Sequence, residues 1–101
     1  RMIITSGYNV YPSHVEEILT NHEAILKCAV IGIKNESKGE IVKAFIVLRE
    51  GYNNLLTKSN IQKYMKENLA KFEIPREIRY IDDLPTTLVG KIAYKELEKM
   101  D

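Results

Sequence analysis

Lys91 is the side chain in this 101-residue sequence best placed to do chemistry. It lies in Leu84-Pro85-Thr86-Thr87-Leu88-Val89-Gly90-Lys91-Ile92, a stretch unlike a plain connector. Pro85 stiffens its start. Thr86 and Thr87 offer two hydroxyls. Leu88 and Val89 place apolar side chains where water is normally preferred, and Gly90 frees the backbone just before the lysine. The expected product is a cation on a pliable stalk, with apolar residues ready to rest on another surface. A fixed positive charge of this kind can stabilise negative charge as it develops in a reaction. The plainer alternative is a surface lysine at a helix start. A cation at a helix N-terminus is mildly unfavourable, which argues that this one serves something other than helix stability.

The remaining chemistry-bearing residues form no familiar grouping. His14 and His22 are separated by most of two helical turns, with no cysteine near them and no metal-ligand spacing, so no metal site is expected. Ser37-Lys38-Gly39 is too short for a phosphate loop, and neither a nucleophile elbow nor a dinucleotide fingerprint is present. Asp82-Asp83 precedes a proline-containing loop and reads as a turn. The single cysteine, Cys28, sits in the apolar run Cys28-Ala29-Val30-Ile31 and reads as a buried small hydrophobe. One cysteine makes no internal disulfide, so a reducing, cytoplasmic setting is expected. The formal net charge is +1, and Lys and Arg are spread through the chain. No basic stripe with interleaved aromatics marks a nucleic-acid binder. There is no run long enough to span a bilayer and no signal-peptide pattern.

Elements that could position the lysine are visible in the periodicity. Met2 to Thr5 and Tyr8 to Val10 flank Ser6-Gly7, which predicts a short N-terminal hairpin. Pro12 suits the first turn of a helix over about Pro12 to Thr20, and Ser13 with Glu16 has capping-box spacing. Cys28 to Ile33 and Ile41 to Leu48 are apolar, β-branched runs and predict two strands. The tight turn between them favours antiparallel pairing. Thr57 or Ser59 could cap a second helix with the stripe Ile61, Tyr64, Met65 and Leu69. Ile78, Tyr80 and Leu84 fit a third extended piece. A last helix is expected from near Ala93 through Leu97 toward Met100. The expected fold is α+β, a small mainly antiparallel sheet covered by helices, in one domain over residues 1–101.

Three segments carry a resemblance. Leu84 to Ile92 resembles the last core motif of the adenylate-forming superfamily, which includes acyl-CoA synthetases, peptide-synthetase adenylation domains and luciferases. Ile3-Ile4-Thr5-Ser6-Gly7-Tyr8-Asn9-Val10-Tyr11-Pro12-Ser13-His14-Val15-Glu16 resembles the motif just after that family's interdomain hinge. Leu69-Ala70-Lys71-Phe72-Glu73-Ile74-Pro75 resembles a stretch between the two. All three come in the family's order and span nearly the whole chain. The chain is therefore expected to be the C-terminal lid of such an enzyme. The large N-terminal domain and hinge are expected to be absent, in keeping with a start at Arg1-Met2-Ile3-Ile4.

What the resemblance implies is specific. The large domain binds ATP, Mg and a carboxylic acid; acyl-adenylate forms, and the acyl group passes to a thiol such as CoA. Lys91 is then the catalytic lysine of adenylation, on a loop supported by Thr86, Thr87 and Gly90. After the lid rotates, Ser6, Gly7 and Tyr8 line the path of the CoA pantetheine. Glu16 is expected to cap a helix or position a loop. His14 stands where a glutamate is common and Tyr94 where an arginine is frequent, so contacts are not carried over there. The family's hinge residue and ribose-contacting arginine are expected to precede Arg1. The wording Ser-Gly-Tyr-Asn-Val-Tyr-Pro looks more like CoA ligases than domains that load a carrier protein. That second acceptor stays open, as does a non-catalytic α+β interaction module.

Overall fold

The structure, a computed structural model, describes residues 1–100. Its chain begins with β1 (Ile3–Thr5) and β2 (Tyr8–Val10), paired antiparallel as the predicted hairpin. The two residues between them, Ser6 and Gly7, have φ of 51° and 83°. Positive φ at both central positions marks the tight turn that matches the twist of paired strands. A Cβ built on Gly7 would meet nothing within 4 Å. Glycine is favoured there by backbone conformation, not by crowding.

Helix α1 (Pro12–Thr20) has the predicted bounds. The Ser13–Glu16 capping box does not form. Tyr11 is the N-cap, without a side-chain cap bond, and Pro12 opens the helix. Ser13 therefore lies one residue inside the first turn, where its hydroxyl cannot serve as a cap. Glu16 is free to turn toward the sheet.

The two apolar runs become β3 (Ile25–Asn35) and β4 (Gly39–Leu48), longer at the N-terminal end of each than periodicity indicates. They pair antiparallel from Ile25↔Leu48 to Asn35↔Gly39, with one irregularity between Ile25 and Lys27. Helix α2 (Leu55–Asn68) follows, capped by Asn54, whose side chain accepts from Thr57 N at 2.8 Å. The two expected caps, Thr57 and Ser59, both lie inside the helix, and Thr57 is a buried residue on its inner face with Ile61 and Met65. Tyr64 donates its hydroxyl to Ile18 O at 2.7 Å and ties α2 to α1.

A 3-10 turn over Lys71–Glu73, not predicted, leads into β5 (Glu77–Tyr80). That strand pairs parallel with β4 at Lys43↔Glu77 to Ile46↔Tyr80, with α2 as the crossover that parallel neighbours require. The lone parallel pair sits in an otherwise antiparallel five-stranded sheet, so the predicted α+β class stands. Leu84 is buried, but beyond the end of β5. Helix α3 (Tyr94–Glu98) closes the described chain and buries Leu97. Among the described residues, no helix is long and apolar enough to cross a membrane.

Strand β4 is buried along nearly its whole length. One face contributes Val42, Ala44 and Ile46 to a core shared with Val15, Leu19, Ile61 and Met65. The other contributes Phe45 and Val47, packed with Ala29, Ile31, Leu84 and Leu97. Buried Lys43 lies on the second face, its ammonium 4.9 Å from the Phe45 ring centroid and 3.9 Å from Glu77 Oε1. Helices α1 and α2 thus cover one side of the sheet, while Leu84 and α3 cover the other.

Phe45 is fully buried. Phe45→Ala is expected to cost about 3–5 kcal/mol, read as a lower urea midpoint. Gly7→Ala is expected to cost about 1 kcal/mol through the positive φ alone, with Gly7→Asn milder because asparagine tolerates that region. Equal stability of Gly7→Ala and the parent chain in the same titration would remove the conformational argument.

Candidate functional site

The segment carrying Lys91 is a small hairpin. Thr86 and Ile92 form an antiparallel bridge. Thr87 N donates to Lys91 O at 2.7 Å, Gly90 N donates to Thr87 O at 2.9 Å, and Ala93 N donates to Pro85 O at 2.8 Å. Lys91 N also approaches Thr87 Oγ1 at 3.3 Å. Gly90, with φ of 84°, makes the reversal before the lysine. The stalk expected to be pliable is therefore cross-bonded from end to end. Thr87 supports it chiefly through its backbone, and Thr86 through the bridge.

Leu88 and Val89 form the tip and stand almost fully in solvent, at 108% and 81% relative exposure. Lys91 is exposed and pairs with no carboxylate among the described residues. The chain thus presents an uncompensated cation beside two bare apolar side chains. At the start of the hairpin, Asp83 Oδ1 accepts from Lys27 Nζ and from Leu84 N, both at 2.9 Å. The Lys27 hydrogen bond, then the Leu84 amide, holds the Asp83 carboxyl below the usual carboxylate range. Asp82-Asp83 is a turn, and its second member ties the hairpin to β3.

Ser6, Gly7 and Tyr8 are exposed and lie on the other side of the sheet, beside an open groove of about 440 Å³. Val42 and Ile74 give this groove an apolar floor; Lys38, Lys71 and Arg76 surround it with positive charge. Ser6 N donates to Lys38 O at 2.8 Å, which holds the Ser6-Gly7 turn against the start of β4. The Tyr8 ring stacks on Phe72, with centroids 4.5 Å apart and planes 15° from parallel. The turn bearing Phe72 is itself braced: Glu73 Oε1 accepts from Ala70 N at 2.9 Å, and Glu73 Oε2 lies 3.5 Å from His14 Nε2. Cations around an aromatic pair suit a ligand that is anionic and planar.

Sequence reasoning located the lysine and the glycine turn but missed this cationic rim. Lys38 is far in the chain from Lys71 and Arg76, and only the pairing of β1 and β5 with β4 gathers them. Phe72 lay in a recognised segment, but nothing in its spacing pointed to Tyr8. Glu16 was expected to cap or position. It makes no cap, and its Oε2 accepts from Val30 N at 2.8 Å and from Tyr94 OH at 2.8 Å. Among the described residues, no group of three His, Cys, Asp or Glu side chains could hold a metal ion.

Comparison with known proteins identifies the family of the fold. The profile of the AMP-binding enzyme C-terminal domain matches residues 14–91. The long-chain-fatty-acid–CoA ligase of Yersinia pestis is 38% identical over 96 residues, covering 95% of this chain and 16% of the relative. The mitochondrial acyl-coenzyme A synthetase ACSM1 of Homo sapiens is 38% identical over 104 residues, covering 99% of this chain and 18% of the relative. The crystal structure of an acyl-CoA synthetase from Brucella canis superposes with a TM-score of 0.89 at 34% identity, over 98% of this chain and 18% of that one. The chain therefore spans less than a fifth of the length of each of these proteins. It belongs to the AMP-binding enzyme C-terminal domain family.

Proposed function

We propose that residues 1–101 are the mobile C-terminal domain of an ATP-dependent acid–thiol ligase, most like the acyl-CoA synthetases, in the reducing cytoplasm. The observation that carries this reading is the exposed, unpaired Lys91 at the end of a cross-bonded hairpin. A large N-terminal domain of the same protein would hold ATP, Mg and the carboxylic acid.

In the first half-reaction a carboxylate oxygen attacks the α-phosphorus of ATP, the bond to the bridging oxygen breaks, and pyrophosphate leaves. Negative charge meets negative charge, and Lys91 offsets that repulsion from outside the nucleotide pocket. At ~4 Å and an effective dielectric near 20, one such contact has a Coulomb term of roughly 4 kcal/mol. That corresponds to about a thousandfold in rate. Leu88 and Val89 would rest on the large domain and exclude water around the lysine.

In the second half-reaction a thiol sulfur attacks the acyl carbonyl and AMP leaves. Ser6, Gly7 and Tyr8 then line the pantetheine path after the domain has turned. Support comes from their location: the Lys91 hairpin follows Leu84 on the Phe45 face, whereas the Ser6-Gly7 groove opens on the Val42 face. A rotation can present one and then the other. The cations Lys38, Lys71 and Arg76 around the Tyr8–Phe72 stack suit the phosphates and adenine of CoA, which favours CoA over a carrier protein as acceptor.

In the full-length enzyme, Lys91→Ala is expected to lower acid-dependent ATP–pyrophosphate exchange by about a thousandfold. Thioester formation from supplied acyl-adenylate should stay within a few-fold of the parent. Comparable losses in both half-reactions would make the lysine structural. Arg76→Glu is expected to raise the KM for CoA by about tenfold, the loss of one charge-assisted contact, without changing exchange. An unaltered KM for CoA would remove the groove from the thiol's path.

A further inference from the structure

The straps that shape the Lys91 hairpin are internal to it. They fix its form but not its direction relative to the sheet. Direction depends on what anchors the two ends. The first end is held by Asp83 on Lys27 and by buried Leu84. The second end continues into Tyr94, the first residue of α3.

Tyr94 does not simply fill space there. Its hydroxyl donates to Glu16 Oε2 at 2.8 Å, across 78 residues of sequence. The same carboxylate oxygen accepts the Val30 amide of β3 at 2.8 Å. Arg1 completes the cluster: Nη1 donates to Val30 O at 3.2 Å, Nη2 lies 3.8 Å from Glu16 Oε2, and the guanidinium carbon sits 3.6 Å from the Tyr94 ring centroid. The Glu16 side chain is only 16% exposed. Hydrogen bonds to a shielded carboxylate are strong and directional. Burial, followed by the Glu16 hydrogen bond, pushes the Tyr94 phenol up to about 12, so it keeps the donated proton throughout the working range. The tie would be lost only as pH rises past that value.

We infer that Glu16 and Tyr94 are positioning residues for adenylation, which aim the Lys91 hairpin by bonding its C-terminal end to α1 and β3, with Arg1 holding the Tyr94 ring. This rests on the proposed role of Lys91. The ring could pack without its hydroxyl, but the hydroxyl gives the hairpin a single bearing. An arm that wanders delivers its charge to the reacting phosphorus in a smaller fraction of encounters. The expected signature is a fall in kcat at unchanged substrate affinity.

Tyr94→Phe isolates the hydroxyl while keeping the ring and its contact with Arg1. The first readout is geometric and uses the full-length enzyme. Spin labels at Val89→Cys, on the hairpin tip, and Glu17→Cys, on exposed α1, report the tip-to-body distance by pulsed dipolar spectroscopy; native Cys28 is buried. Tyr94→Phe should broaden that distance distribution, and an identical distribution would overturn the tie. The second readout is kinetic, in the full-length enzyme with octanoate, palmitate and benzoate as probe acids. Tyr94→Phe should lower the kcat of pyrophosphate exchange by about tenfold, the size of one hydrogen bond to a charged group. The KM for ATP and the thioester half-reaction should be unchanged. Combined with Lys91→Ala it should add no further loss. Equal loss in both half-reactions, or a double variant much worse than Lys91→Ala alone, would overturn the inference. If Lys91→Ala itself leaves exchange intact, the proposed role of the lysine fails, while the spin-label distances still judge the tie.

Discussion

A strand buried on both faces is the constraint from which this small domain follows. Strand β4 is apolar on alternate positions in both directions, so it needs cover above and below. Helices α1 and α2 supply one cover; Leu84, α3 and the base of the lysine hairpin supply the other. The sheet thereby acquires two sides with different equipment. One carries a glycine turn and a cation-rimmed groove, the other a lone lysine on a stiff arm. Under the proposed function, a rotation would present each side in turn without remodelling either surface.

Much of this was legible in the sequence, for local reasons. The β3 and β4 runs announce themselves by β-branched density, and Ser6-Gly7 between short extended pieces announces a tight turn. Lys91 stood out because Leu88 and Val89 are apolar in a loop, and both prove bare in the folded chain. Other features were hidden because they depend on partners distant in sequence. Nothing in Glu77–Tyr80 says that it pairs parallel with β4; the crossover through α2 decides that. Ser13 and Glu16 have capping-box spacing, yet Pro12 starts the helix first and Glu16 finds Val30 and Tyr94 instead. Asn54 outcompetes Thr57 as a cap because its extended backbone presents its side-chain oxygen to the Thr57 amide. The groove needed the assembled sheet before its cations could meet.

The hairpin was expected to be loose, and the reason it is not bears on function. A glycine-hinged lysine free to sample many directions would lose rotational freedom each time it was used. Bonds from Thr87 to Lys91, Gly90 to Thr87 and Ala93 to Pro85 remove most of that freedom in advance. What remains mobile is the ammonium on its own side chain and the domain as a whole. This division suits electrostatic catalysis, where the gain comes from charges already in place when the reaction begins.

The central claim is that this domain carries the Lys91 charge to a phosphorus held by another domain, and then takes it away. The most direct measurement is the distance from Lys91 Nζ to the α-phosphorus in two crystal forms of the full-length enzyme, one with ATP and one with AMP and CoA. The account predicts direct ionic contact, about 4 Å, with ATP, and a lysine in solvent with the Ser6-Gly7 turn at the thiol when CoA is bound. A lysine remote from the nucleotide in both crystals, or in contact with it in both, would contradict the account.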